Sequence, residues 1–293
     1  MRVFVTGATG FIGSALVKEL IEAGHQVLGL ARSEAGAESL VAAGAQVQRG
    51  ELEDLESLKS GAANSDAVIH LGFIHDFSKF KENCEIDRRA IEAMGGVLEG
   101  LDRPLIVTSG LALLAQGRLA TEDDAPPPVS DNFPRASEEA VEAFEKRGVR
   151  TMGVRLPQVH DTTKAGLVSY VIQIARQKGV SPYIGEGQNR WAAAHRFDAA
   201  HLYRLALEKG HAGARYHAVA EEGVSAREIA EAIGRGLSVP VVSLTPEEAA
   251  GHFGWLAGFA GLDLTGSSAK TKAELGWEPT GPGLIVDLEN MRY

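Results

Sequence analysis

The sequence predicts an α/β fold in which a doubly wound parallel sheet carries a smaller, interleaved C-terminal lobe, and three observations predict it. Short apolar runs alternate with helically spaced segments from Arg2 to Leu156, the pattern of a parallel sheet covered by helices on both faces. Three glycines spaced three apart, Gly7, Gly10 and Gly13, fall where the first apolar run meets the first helical one. The 293 residues, 44% of them apolar, can bury one large core or a main core with a smaller partner.

The first strand reads Arg2 to Val5 and the helix after it Ser14 to Ala23, with Thr6-Gly7-Ala8-Thr9-Gly10-Phe11-Ile12-Gly13 between them. Gly7 permits a tight turn, Gly10 removes the side chain that would hold a pyrophosphate off the backbone, and Gly13 lets helix and strand pack closely. The helix start turns its free N–H groups and positive dipole end toward that phosphate. Gly7, Thr9, Gly10, Phe11, Ile12 and Gly13 are therefore expected to bind a dinucleotide, which makes the sheet Rossmann-type. Gln26 to Ala31 is the second strand, and an acid at its end would bond the adenosine 2′-hydroxyl, whereas an Arg suits a 2′-phosphate. The chain has Ala31-Arg32-Ser33, so Arg32 favours NADP(H), with NAD possible; a solvated Arg32 beside Glu34 would leave the preference open.

Glu38 to Ala43 reads as a short helix, Gln46 to Arg49 as the third strand, and Ala67 to Leu71 as the fourth. Ligands of open parallel sheets bind at the C-terminal strand ends, so Leu52, Leu71, Gly72 and Pro157 join the expected cofactor contacts. His75, Asp76 and Phe77 follow in a loop that could overhang the cofactor. A helix is expected over Glu85 to Leu98, the fifth strand over Pro104 to Thr108, a helix over Ser137 to Lys146 and the sixth strand over Arg150 to Leu156.

A net charge of −10 and the lack of a dense Lys/Arg cluster argue against nucleic-acid or membrane partners. Lone Cys84 cannot form an internal disulfide, which fits a reducing compartment, and its simplest reading is a small buried residue. No basic, apolar leader precedes the first strand and no run of about 18 uncharged apolar residues occurs, so a cytoplasmic protein is expected. The nine His are scattered, no His-Glu-x-x-His occurs, and no metal site is expected. Ser109 lacks a Gly-x-Ser-x-Gly elbow, which argues against a serine hydrolase.

The glycine motif, Val68-Ile69-His70-Leu71, Thr108-Ser109, Arg155-Leu156-Pro157 and Glu274-Leu275-Gly276-Trp277-Glu278-Pro279 together resemble the extended short-chain dehydrogenase/reductase family, which includes nucleotide-sugar epimerases and dehydratases. The resemblance spans nearly the whole chain. It implies hydride transfer at a carbonyl or alcohol carbon, with a Ser or Thr after strand five assisted by a downstream Tyr-x-x-x-Lys. Ser109 matches that Ser, but Pro134 falls at the Tyr position and Glu138 at the Lys position, and no Tyr precedes Tyr170. A Tyr hydroxyl, with a pKa of about 10, needs a nearby cation to act at neutral pH, which a Glu cannot be. The chain thus resembles atypical members of the family.

His160, in Gln158-Val159-His160-Asp161 after strand six, is the leading candidate for the general acid, set against a structural or orienting role. Ser109 is the second catalytic candidate, and Tyr170 and Tyr183 are further possible proton donors. Trp191 and His195 either wall the substrate pocket or fill core. Helices are expected over Gly166 to Lys178 and Ala199 to Lys209, a strand over Ala214 to Ala218, and capping boxes at Ser225 and Thr245. The apolar stretch His252 to Leu264 reads as a pocket lid, a dimer contact or core. The domains divide as 1–158, with 192–219 returning to it, and 159–191 with 220–293 as the substrate lobe. Two functions stand: an NADP(H)-dependent oxidoreductase acting on a small molecule, as a monomer or a homodimer, or a catalytically silent NADP(H)-binding sensor.

Overall fold

Apolar strands separated by helices give a parallel sheet whose middle is dry: Val3, Phe4 and Val5 are all fully buried. A computed structural model describes residues 1–293 except 116 and 132. Its main sheet has seven parallel strands: β1 (Arg2–Thr6), β2 (Gln26–Ala31), β3 (Gln46–Arg49), β4 (Ala67–His70), β5 (Pro104–Gly110), β6 (Arg150–Leu156) and β10 (Ala214–His217). Their order is β10-β6-β5-β4-β1-β2-β3, so the sequence reverses direction beside β1, where open sheets leave a crevice.

Helices α1 (Phe11–Glu22), α2 (Glu34–Ala42), α3 (Leu55–Ala63), α4 (Phe80–Leu98), α5 (Ser137–Glu145) and α7 (Arg196–Lys209) cover the two faces. The helices α1, α2, α4 and α7 start earlier than their apolar spacing predicts. Ser33 accepts the Gly36 amide at 3.1 Å and so starts α2 at Glu34, and a 3-10 turn capped by Asp76 runs straight into α4.

Pro157 has no N–H to extend the ladder, and the chain leaves the main sheet there. It forms β7 (Gln158–His160), α6 (Val168–Lys178), β8 (Ser181–Ile184) and β9 (Arg190–His195), then returns through α7 and β10. Residues 192–195 therefore lie in a small sheet with β11 (Glu221–Ser225), of order β11-β9-β7, and not in the main one, because β9 pairs Gln158 with Ala193 and Val159 with Ala194. The rest of the second lobe is α8 (Ala226–Leu237), β12 (Val241–Leu244), α9 (Pro246–Phe253), α10 (Ala257–Ala260) and α12 (Leu284–Asn290), while α11 (Ala269–Leu275) packs back on α7 and β10. Both capping boxes form, at Ser225 with Glu228 and at Thr245 with Glu248.

The stretch after α11 pins the end of the chain to α7. Trp277 is fully buried and donates to the Asp198 carbonyl at 3.0 Å, while the Asp198 carboxylate accepts the Thr280 and Gly281 amides at 2.9 Å each. Among the described residues no helix is long and apolar enough to cross a membrane, and no group of three His, Cys, Asp or Glu side chains could hold a metal.

Candidate active site

The corner between β1 and α1 is built from bare backbone. Gly7 has φ +66°, and a Cβ there would lie 2.8 Å from the Gly72 amide nitrogen, so only glycine fits both the turn and the close pass of β4. A Cβ on Gly13 would fall 2.0 Å from the Gly7 carbonyl oxygen, which ties Gly13 to helix packing. Gly10 differs: its Cβ would meet only Gly7 itself, with the carbonyl oxygen at 3.0 Å, and would otherwise face open space. No side chain caps α1, in contrast to the Ser33 and Asp54 caps of α2 and α3. The amides of Phe11 and Ile12 are thus left for an anion, and a diphosphate fits this cradle.

Leu71, Gly72 and Leu52 gather against the same corner; Leu52 Cδ2 would lie 2.8 Å from a Cβ on Gly72. Thr9 is exposed and its methyl lies beside Gly36 at the start of α2. Arg32, at the tip of β2, is exposed. Arg49, at the end of β3, donates to the Ser33 carbonyl at 3.0 Å and pairs with Glu34, so a second guanidinium stands beside that tip. Sequence reasoning missed it because its strand end is remote in the chain. It also missed Arg196 and Lys164, whose charges lie 5.0 Å and 5.7 Å from the Phe11 ring centre at the mouth of the cradle.

Below the sheet edge a chain of polar groups runs from this corner to β5. The Gly72 amide donates to Thr6 Oγ1 at 3.1 Å, Thr6 Oγ1 meets His70 Nδ1 at 2.6 Å, and His70 Nε2 meets Asp87 at 3.1 Å. Ser137 donates to the other Asp87 oxygen at 2.6 Å, Arg135 Nε donates to Ser137 at 3.0 Å, and Arg135 Nη2 donates to the Thr108 carbonyl at 3.0 Å. Burial works against a charged Asp87, but His70, Arg135 and Ser137 outweigh it and hold the carboxyl below its usual range. Ser109 and Arg135 line a cavity of about 130 Å³ at the end of β5, together with Phe133 and Pro126 to Pro128. Pro157 lies half-buried just past β6.

Residues 3–220 match the family model described as the NAD dependent epimerase/dehydratase family. The chain belongs to the NAD-dependent epimerase/dehydratase family. An uncharacterised protein of Schizosaccharomyces pombe is 50% identical over 100% of both chains. A decarboxylating sterol-4-alpha-carboxylate 3-dehydrogenase of Dictyostelium discoideum is 26% identical, over 77% of this chain and 73% of its own. The UDP-glucose 4-epimerase of Thermus thermophilus, solved with NAD, superposes with a TM-score of 0.77 at 21% identity, covering 100% of this chain and 98% of that one. The fold is that of the extended short-chain dehydrogenase/reductases, as the ordered motifs predict.

Glu138, which counting along the sequence puts at the Lys position of Tyr-x-x-x-Lys, is buried in an ion-pair network. Arg155, fully buried, grips it through Nε at 2.9 Å and Nη2 at 2.7 Å, and Arg215 Nε adds a contact at 3.3 Å. Arg155 also donates to His217 Nε2 at 3.3 Å, while His217 Nδ1 donates to the Ser267 carbonyl at 2.8 Å. Burial, aided by the Arg155 charge and opposed by Glu122, pushes the His217 pKa down to about 4 from its ordinary 6.5. The unfolded chain therefore takes up a proton that the folded one refuses between these values. Stability from His217 is complete above pH 6.5 and is lost as pH falls toward 4. Urea unfolding at pH 7 and pH 4.5 should differ by on the order of 2–3 kcal/mol more in the wild type than in His217→Gln.

His160 does not face the cleft, contrary to its place in the sequence. It is fully buried with Nδ1 2.7 Å from Asp287, its Nε2 has no partner, and Glu221 lies 3.9 Å away. Burial holds it below the ordinary imidazole range against the pull of Asp287 and Glu221. With no path to a substrate it cannot deliver a proton to one, and it ties β7 to α12. Trp191 is core, donating to the Leu262 carbonyl at 3.2 Å, and His195, 8% exposed, starts α7. Tyr203 is buried on Thr108 at 2.7 Å, where burial raises its hydroxyl pKa, so it serves as support.

The stretch 252–264 divides its roles. Phe253, Leu256, Ala260 and Leu264 are buried in the second lobe, but Trp255 is 47% exposed and stacks on Phe77 at 4.6 Å and 13°. Tyr170 on α6 meets both rings edge-on, at 5.7 Å and 5.2 Å. The β4–α4 loop and the second lobe thus join through aromatic rings, a pairing across lobes that no local periodicity signals.

Proposed function

We propose that this family member binds NADP(H) and works as an oxidoreductase on a carbonyl or alcohol carbon, with an active site that does without Tyr-x-x-x-Lys. The observation that carries the reading is the uncapped, side-chain-free corner at Gly10 beside Arg32 and Arg49. When bound, the nicotinamide supplies or accepts the hydride. The chain's own residues do the rest. Gly7, Gly10, Phe11 and Ile12 hold the diphosphate, Arg32 meets the 2′-phosphate, and Leu52, Leu71, Gly72 and Pro157 shape the walls. Ser109 offers its hydroxyl to the substrate oxygen from the floor of the cavity, and Arg135 brings the positive charge that Glu138 cannot.

The experiment is a fluorescence titration with NADPH and NADH, followed by a screen of carbonyl compounds for NADPH oxidation. NADPH should bind more tightly, and Arg32→Ala should weaken NADPH by about tenfold or more while leaving NADH nearly unchanged. Equal losses for both nucleotides would remove the 2′-phosphate reading. Commitment of Glu138 to Arg155 also favours a second reading, a silent NADP(H) sensor; tight nucleotide binding with no turnover on any carbonyl would select it. Under either reading we assign the protein to the cytoplasm, where lone Cys84, buried with its thiol pKa pushed up to about 11, stays reduced and inert.

A further inference from the structure

We propose that the cleft beside Ser109 takes a carboxylate-bearing substrate with a flat apolar body, Arg135 gripping the carboxylate and the rings from Phe73 to Trp255 holding the body. The proposal rests on the oxidoreductase reading and names the substrate class of that site.

Arg135 is oriented without being neutralised. A guanidinium carries five N–H donors in a rigid fork. Nε is spent on Ser137 and one Nη2 hydrogen on the Thr108 carbonyl, and no described residue accepts from the others. No carboxylate of the described residues pairs with it. Of the three acids on the same cavity wall, Glu138 is taken by Arg155 and Arg215 and Glu142 by Arg215, while Glu139 is exposed and makes no ion pair with Arg135. Asp87 reaches Arg135 only through Ser137, and its other oxygen faces His70. A fork pinned at two donors, half-buried and short of a counter-charge, suits the two oxygens of a carboxylate.

The rings fix the rest of the ligand. The Arg135 guanidinium lies 4.5 Å from the Phe73 ring centre, Phe73 meets Phe80 at 6.2 Å, Phe80 meets Phe77 at 5.7 Å, and Phe77 stacks on Trp255. These contacts run without a break from the cation to the second lobe. A planar apolar body gains contact along them at little cost in rotamer freedom. The faces of Phe73, Phe77, Phe80 and Trp255 offer a polyhydroxylated body no hydrogen-bond partner, and only His75 and Tyr170 bring polar groups among them.

The test uses 2-naphthoate and its uncharged counterpart, 2-naphthamide, with the purified full-length protein, by calorimetry and tryptophan fluorescence. Trp191 and Trp277 are 4% and 0% exposed, so quenching reports on Trp255. Naphthoate should bind about tenfold or more tighter than naphthamide. Arg135→Gln should erase that difference, Arg135→Lys should restore part of it, and Trp255→Ala should weaken both probes alike. Thermal midpoints of the variants establish that each is folded. Equal binding of acid and amide by the wild type, an acid preference that survives Arg135→Gln, or no binding of either probe overturns the proposal. Failure of the oxidoreductase reading would show separately in the experiments above, as no NADPH binding or as NADPH binding with no turnover on any carbonyl.

Discussion

Glu138→Lys, a lysine at the position that counting along the sequence gives to Tyr-x-x-x-Lys, should cost roughly 3–5 kcal/mol of stability. Arg155 is fully buried and its Nε and Nη2 both point at the Glu138 carboxylate, with Arg215 close by. An ammonium there would put three cations together away from water and leave Arg155 without its counter-charge. For a protein of this size the loss corresponds to a fall in thermal midpoint on the order of 10 °C, which a calorimetric scan resolves. Glu138→Gln should cost less than Glu138→Lys, because the amide still accepts one guanidinium hydrogen bond and adds no charge. A Glu138→Lys protein with an unshifted midpoint would contradict the view that this position has become a structural anchor.

Gly10→Val should abolish nicotinamide nucleotide binding while leaving the thermal midpoint within about 2 °C of the wild type. The reasoning is a contrast between two glycines of one motif. A side chain at Gly10 projects into the space reserved for the diphosphate and touches only Gly7 of the protein, so the ligand bears the clash. At Gly13 the new atom would sit 2.0 Å from the Gly7 carbonyl, and Gly13→Ala should instead lower the midpoint. Fluorescence titration with NADPH and a thermal scan of both variants separate the two roles. Unchanged binding by Gly10→Val would mean that the cofactor lies elsewhere.

What could be read from the chain alone was what neighbouring residues decide. The limits of β2, β3 and β6 follow from runs bounded by glycine or charge, and the boxes at Ser225 and Thr245 are local hydrogen bonds written within four residues. The glycine corner is legible for the same reason. His160 misled because a strand-end position says nothing about which element packs over it, and α12 comes from the far end of the chain to bury it on Asp287. Arg135 went unnoticed between Pro134 and Glu138, the two positions the family pattern singles out. Its importance arises from Thr108, Ser137 and Phe73, partners that only the folded sheet edge assembles. The stacking of Phe77 on Trp255 likewise joins segments that no spacing rule connects.

The chain leaves the seven-stranded sheet after β6, comes back for α7 and β10, and departs again into β11. Two bodies sewn together by several threads cannot swing apart on one hinge. The ring pair at Phe77 and Trp255 adds a bridge between them from either bank. The same stitching means that no single cut between Pro157 and Glu221 divides the chain into one body and the other, because elements of both alternate there.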